Sequence, residues 1–259
     1  MKVALQLYSL RDYIKTEDDI RTTLTQVKAI GYDIVQLSGI GKFTQEKVDV
    51  FDKITKELGL EIIATHVDFN QLRDDFDQIV KYHQQLGVTY IGIGSMPDPY
   101  DRRNLTHYQD FVFEMNKMAK KLHPFGLKLV YHNHAFEFAK IGTFLPMDII
   151  TQNMVKTNLS LEPDLYWLQF AGLNPLEFVK KHKDSIDIIH IKDMKIKQHD
   201  QWVSVPQFAS IGDGNMDYQH IIKELKNMDF PYIIVEQDDF YGADPLVEII
   251  NSLKFIQKI

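Results

Sequence analysis

Leu127-Lys-Leu-Val-Tyr-His132, Leu159-Ser-Leu-Glu162-Pro-Asp164, Ile186-Asp-Ile-Ile-His190 and Tyr232-Ile-Ile-Val-Glu236 are four short apolar runs, each ending in a side chain of metal-ligand type. Short apolar runs bounded by polar residues read as buried strands. A helical pattern separates each run from the next, and another follows the fourth. Strands that alternate with helices make a parallel sheet. If that sheet closes into a (β/α)8 barrel, the carboxyl ends of all strands meet on one face, where active sites sit. Imidazoles and carboxylates converging there build a divalent-metal site.

The alternation extends back to the N-terminus. Val3–Tyr8 reads as a strand, and Glu17–Ile30 as a helix with Ile20, Leu24, Val27 and Ile30 on one face and Gly31 as its stop. Asp33–Leu37 is a strand, Thr44–Leu58 a helix opened by a Thr cap, Glu61–Val67 a strand, and Asn70–Leu86 a helix ended by Gly87. Thr89–Ile93 is strand four and Leu105–His123 a long helix. The later helices fall near Leu145–Asn153, Pro175–His182, Tyr218–Met228 and Asp244–Ile256. After strand seven comes a loop of roughly 25 residues, broken by Pro206, Gly212 and Gly214, and loops that long are usually functional. Eight strand–helix units predict a single (β/α)8 TIM barrel over residues 1–259, with an open doubly wound sheet as the alternative. Neither GxGxxG after a strand nor GxxxxGK[ST] occurs, so the common nucleotide-phosphate loops are missing.

Composition narrows the function. The net charge of -7 disfavours a nucleic-acid partner, which usually needs a basic face. The absence of cysteine removes disulfides, iron–sulfur clusters and thiol catalysis, and suits a cytoplasmic protein. Met1-Lys-Val-Ala-Leu-Gln-Leu-Tyr-Ser-Leu runs into Arg11 and Asp12 without a small-residue cleavage site, so no leader is expected. No apolar run approaches the ~20 residues that span a bilayer, so no membrane partner is expected.

At the strand ends, His132 and His134 stand at i and i+2, on one face of strand five. They are ligands or acid/base groups, or a hydrogen-bonded pair at a loop start. Glu162 and Asp164 repeat the spacing on strand six. Two carboxylates on one face raise each other's pKa unless a cation lies between them. Pro163 cannot donate to a ladder and ends that strand. His190 needs a metal, a carboxylate or a backbone partner, and Lys192 shares its face. Lys192 reads as a surface salt bridge, or as a counter-charge to a phosphate or carboxylate. Glu236, at the end of Ile233-Ile-Val, reads as ligand or general base, because a carboxylate there is rarely left unpaired. Gln6 and Tyr8 on strand one, Gln36 on strand two and His66 on strand three are candidates for binding sugar hydroxyls, or plain polar residues at the mouth. Trp167 and Phe136 are candidates for stacking on a sugar ring, or are core.

With these segments in hand, the chain resembles the xylose-isomerase-like sugar phosphate isomerase/epimerase family over essentially its whole length. The matching stretches are Leu5-Gln-Leu-Tyr-Ser-Leu-Arg11, Tyr131-His-Asn-His-Ala-Phe-Glu-Phe138, Asp164-Leu-Tyr-Trp-Leu-Gln-Phe-Ala-Gly172, His190-Ile-Lys-Asp193, Ile211-Gly-Asp-Gly214 and Val235-Glu236. The resemblance implies a barrel that binds one divalent metal (Mn, Mg, Co or Zn) through residues after strands five to eight. By motif these are His132, Asp164, His190 and Glu236. His132 stands where many isomerases carry Glu, and Glu162 and Glu137 are the alternative first ligands. The resemblance further implies proton abstraction next to the carbonyl of a sugar, cyclitol or keto-sugar. Glu236, His132 and Glu162 would be the catalytic groups, and Gln6, Tyr8, His66, His134, Trp167 and Lys192 would contact substrate. Inosose dehydratase-like members also have a His-rich end to strand five, so elimination is the runner-up. A non-catalytic sugar-binding barrel and an abasic-DNA endonuclease are further readings, the latter opposed by the charge. A homodimer is expected from the resemblance alone.

Overall fold

The computed structural model describes residues 1–155 and 159–259. Eight parallel strands form the barrel wall: β1 (Lys2–Gln6), β2 (Ile34–Leu37), β3 (Glu61–His66), β4 (Tyr90–Ile93), β5 (Lys128–His132), β6 (Leu159–Glu162), β7 (Ile188–Ile191) and β10 (Tyr232–Val235). They are ordered β6-β5-β4-β3-β2-β1-β10-β7. The remaining seam, between β6 and β7, closes through the parallel bridges Leu161↔Ile186 and Asp164↔His190, with His190 N–H donating to Pro163 O at 2.9 Å. The expected TIM barrel is the fold, and the doubly wound alternative is set aside.

Helices α1 (Glu17–Ile30), α2 (Gln45–Leu58), α5 (Leu105–Leu122), α6 (Pro146–Asn153), α8 (Pro175–His182), α9 (Tyr218–Asn227) and α10 (Pro245–Ile256) match the sequence reading to within a residue or so. Their ends follow local chemistry. Thr16 and Asp19 form a capping box on α1, and Gly31, in the left-handed region at φ 113°, ends it. The expected helix Asn70–Leu86 is two helices, α3 (Phe69–Asp74) and α4 (Phe76–Leu86), because Asp75 leaves helical geometry at ψ 31°. A further short helix, α7 (Leu165–Phe170), was not expected; its signal was Asp164, whose Oδ1 accepts from Trp167 N–H at 3.0 Å as an N-cap.

Two other expectations are corrected. Tyr8 is not on strand one: the chain turns into a 3-10 segment, Leu7–Tyr13. The long loop after strand seven is largely an antiparallel hairpin, β8 (Asp193–Gln198) with β9 (Ser204–Ala209). Pro206 was read as a breaker, but both strands of a two-stranded ribbon are edges, where Pro is tolerated. The base of the hairpin is fixed by Asp193, whose carboxylate accepts from the backbone N–H groups of Met194, Gly212, Gly214 and Met216.

Period-two alternation sorts the barrel interior into layers. Ala4, Ile34, Ala64, Val130, Ile188 and Ile234 form a buried apolar layer. Two residues further along the same strands stand Gln6, Gln36, His66, His132, His190 and Glu236, together with Glu162 from β6. Two more steps reach Tyr8, Ser38, Asp68, His134, Lys192 and Asp238, all at the mouth. The larger apolar core lies outside the strands, against the helices.

His83 of α4 is fully buried in that outer core. Its Nδ1–H donates to Ile79 O and its Nε2 accepts from Thr65 Oγ1–H, both at 2.7 Å, which fixes a neutral tautomer. Burial lowers its pKa to about 4. The folded state therefore resists the protonation that the unfolded chain undergoes near pH 6.5. Stability from this group is complete above 6.5 and is lost as pH falls toward 4, by about 3 kcal/mol. Urea unfolding from pH 7.5 to 4.5 should lose correspondingly less stability in His83→Gln than in wild type. Parallel pH curves would show that His83 is not held neutral.

Candidate metal centre and active cleft

The polar layer is tied together by short contacts. His190 lies at its centre: Nδ1–H donates to Glu236 Oε2 at 2.7 Å, and Nε2–H faces Gln36 Oε1 at 2.7 Å and Glu162 Oε1 at 3.1 Å. Glu162 also accepts from Gln36 Nε2 at 2.9 Å and from His66 Nε2 at 2.7 Å. His132 Nε2 lies 3.3 Å from Asp164 Oδ2 and 4.0 Å from Glu236 Oε2. Asn133, between the two histidines of β5, accepts from Asp164 N–H at 3.0 Å and so locks the ends of β5 and β6 together.

Lys192 is not a surface residue, as one reading of the sequence had it. It is 2% exposed, and its ammonium lies 3.2 Å from Asp164 Oδ2, 3.1 Å from Glu236 Oε2 and 3.0 Å from both oxygens of Asp238. A buried ammonium with three carboxylate neighbours is the arrangement that offsets desolvation. Burial alone would lower its pKa, but Asp164, Glu236 and Asp238 hold it well above the ordinary lysine value. For Asp164 and Glu236, burial works against ionisation, and Lys192 with the two histidines outweighs it, so both stay low. Burial would also lower His190, but Glu162 and Glu236 raise it to about 10. Burial lowers His132, and burial with the nearby His132 and Lys192 lowers His134 to about 3.

Donor atoms of His132, Asp164, His190 and Glu236 all lie within 4.8 Å of one another, and those of His66, Glu162 and His190 form a second such group. Ligand bonds of about 2.0–2.2 Å put donors around one ion within roughly 4 Å of each other, so the 3.3 and 4.0 Å separations at His132 suit a shared cation. The chemistry fits too: two imidazoles with two ionised carboxylates are a donor set for a divalent ion. His132 Nδ1 is buried without a hydrogen-bond partner, so this ring is under-satisfied as it stands. Glu137 lies in neither group; its carboxylate accepts from Tyr131 OH at 2.7 Å and from His134 N–H at 2.9 Å.

Above this floor opens a cleft of about 670 Å³. Of the expected substrate contacts, Tyr8, His66, His134 and Lys192 line it, with His132 and Glu236 at its base. Gln6 and Trp167 do not line it: Gln6 lies below, its Nε2 3.5 Å from His66 Nδ1, and Trp167 lies behind His134. Sequence reading missed Ser38, Asp68, Asn70, Asp98, Arg102 and Asp238, all on the cleft wall. Asp68 and Asp238 carried a signal: they continue the alternation two residues beyond His66 and Glu236.

The family described as xylose isomerase-like TIM barrel matches residues 24–259. The chain belongs to that family. An inosose dehydratase of Clostridium perfringens is 28% identical over 158 residues, which are 56% of this chain and 52% of that protein. The chain thus spans about half the length of this relative. An inosose dehydratase of Geobacillus kaustophilus is 24% identical across 94% of this chain and 87% of its own. Among solved structures, a sugar phosphate isomerase/epimerase of Parabacteroides distasonis superposes with a TM-score of 0.79 at 22% identity, covering 100% of this chain and 98% of its own, which shows the fold. Among the described residues, no helix is long and apolar enough to cross a membrane.

Because Lys192 and a divalent ion would draw on the same oxygens of Asp164 and Glu236, removing the ammonium separates the two. Lys192→Met should destabilise the metal-free protein by about 3–5 kcal/mol, the cost of stranding buried carboxylates. Thermal unfolding with and without Mn²⁺ or Zn²⁺ should show a larger metal-induced rise in the variant than in wild type. Equal rises would mean that ion and ammonium do not share these carboxylates.

Proposed function

We propose that the protein is a divalent-metal-dependent isomerase or epimerase that moves a proton next to the carbonyl of a sugar, cyclitol or keto-sugar. The observation that carries this reading is the convergence of His132, Asp164, His190 and Glu236, all buried, at the floor of an open cleft on the carboxyl face of the barrel. These four residues would hold the ion. Bound there, a divalent ion supplies Lewis-acid polarisation of a carbonyl and its neighbouring hydroxyl, which acidifies the adjacent C–H.

The chain's own groups do the rest. Glu236 takes the proton, and it is equipped to: it lines the cleft, and its contacts with His190, His132 and Lys192 all run through Oε2. Those partners keep it ionised, hence able to accept a proton. Lys192, His134 and His66 line the same cleft and orient substrate oxygens. Glu162 does not line the cleft; it holds His66 and His190 in place from below. Return of the proton to the opposite face of the same carbon gives an epimer, and return to the former carbonyl carbon gives an isomer. His66, which lines the cleft from the β3 side, is the group positioned to deliver it.

A dehydratase at the same site is the second reading, supported by the inosose dehydratases among the relatives. Here the β-hydroxyl leaves as water after proton abstraction, and it needs a donor. The Lys192 ammonium at the cleft wall is one.

Metal-loaded protein in D₂O, offered a panel of ketoses and inososes, should wash deuterium into the carbon next to the carbonyl. Chelation should abolish exchange, and Glu236→Gln should slow it about a thousandfold. Exchange accompanied by loss of water selects the dehydratase. No exchange with any oxo-sugar, in protein shown by elemental analysis to hold a metal, would sink the reading.

A further inference from the structure

The cleft is larger than one sugar ring requires. A hexose has twelve non-hydrogen atoms, and even at the ~30 Å³ that each molecule claims in liquid water it would fill only about 360 Å³. The cleft measures about 670 Å³. Its floor is the buried His132–Glu236 group, and its outer part is built by two loops, β3–α3 and β4–α5. Asn70 Nδ2, in the first turn of α3, donates to Asp98 O at 3.1 Å and ties that turn to the β4–α5 loop. The Arg102 guanidinium lies 3.9 Å from the centre of the Phe136 ring, and its Nη2 donates to Ser95 Oγ at 2.5 Å and to Met96 O at 3.0 Å. This outer part is pre-formed.

Its charge says what it would accept. Among the described residues that line the cleft, the cations are Lys192 and Arg102, apart from histidines. Lys192 is enclosed by Asp164, Glu236 and Asp238. Arg102 shares the outer wall with two acidic residues, Asp68 and Asp98. An anionic phosphate placed there would lie near two acidic residues, and like charge disfavours it. A hydroxyl donates to such carboxylates and accepts from guanidinium and amide N–H groups, so a neutral polyol satisfies the same wall.

We propose that the substrate is an uncharged glycoside, with one oxo-sugar ring over the His132–Glu236 floor and a second sugar unit against Asp68, Asn70, Asp98 and Arg102. This rests on the sugar-processing reading and adds a subsite to it. The second unit supplies binding energy remote from the reacting carbon, which orients the ring over the floor.

The test is calorimetric titration of the metal-loaded protein with three probes: methyl 3-oxo-glucoside, the 3-oxo form of a glucosyl-glucose disaccharide, and methyl 3-oxo-glucoside 6-phosphate. A 3-oxo ring has hydroxyl-bearing carbons on both sides of its carbonyl, so either neighbour can react. The disaccharide should bind at least about tenfold more tightly than the methyl glycoside, a difference of about 1.4 kcal/mol, and the phosphate no more tightly than the methyl glycoside. Asn70→Ala combined with Asp98→Ala, and separately Arg102→Ala, should each bring the disaccharide-to-methyl ratio to within about twofold of one, in protein whose thermal unfolding stays cooperative. Equal affinity for the two neutral probes in wild type, tighter binding of the phosphate, or binding of none of the three overturns the subsite. A disaccharide that binds with the expected preference but exchanges no deuterium counts against proton abstraction and leaves the subsite standing.

Discussion

Everything at the mouth of this barrel depends on one electrostatic constraint. Glu162, Asp164 and Glu236 are buried, Asp238 stands beside them, and each needs positive charge close by. Lys192 and His190 supply it, and both come from the β7 end. Remove that charge and the carboxylates would protonate or take in water. The arrangement explains why a lysine lies fully inside a protein whose surface has abundant room for one. It also makes the site receptive to a metal, because oxygens held ionised by an ammonium are held ionised for an ion as well.

The same residues close the fold. The β6–β7 seam is made by isolated bridges rather than a continuous ladder, and one of them joins Asp164 to His190. Asp164 also caps α7 and takes the Asn133 side chain on its backbone N–H. Ligand geometry and barrel closure are therefore one structural fact. The site is held by backbone on both sides of the seam rather than by mobile loop tips.

Much of this was legible in the sequence because barrels translate a period of two into depth. The apolar runs fixed eight strands, and the last polar residue of each run fixed the layer that now holds His132, His190 and Glu236. The same rule, carried two residues further, would have placed Asp68 and Asp238 on the cleft wall. Other features needed three dimensions. The burial of Lys192 depends on carboxylates 28 and more residues away in sequence, or on the next strand, and no local pattern records them. The split at Asp75 and the hairpin around Pro206 turn on backbone choices that a helix-breaking or turn-forming residue leaves open. Gln6 ends β1 and Trp167 lies in α7, yet both stand behind the side chains that line the cleft. Arg102 lies on a loop and Asn70 in the first turn of α3, where the strand period carries no depth.

Strand β4 contributes no polar side chain to the floor, and its sequence Tyr90-Ile-Gly-Ile-Gly94 says why. A Cβ on Gly92 would stand 2.5 Å from His66 Cδ2, and one on Gly94 would stand 3.0 Å from His66 Nδ1. The imidazole of β3 occupies the room that β4 would otherwise fill. Space inside a closed ring of eight strands is a conserved quantity, and here a bare backbone on one strand is the imprint of a large ring on its neighbour. The barrel is accordingly lopsided. Acidic ligands crowd the half built by β5 to β10, while β1 to β4 offer amides, one imidazole and a gap, so a guest would enter with its reacting carbon facing one side and its bulk lodged on the other.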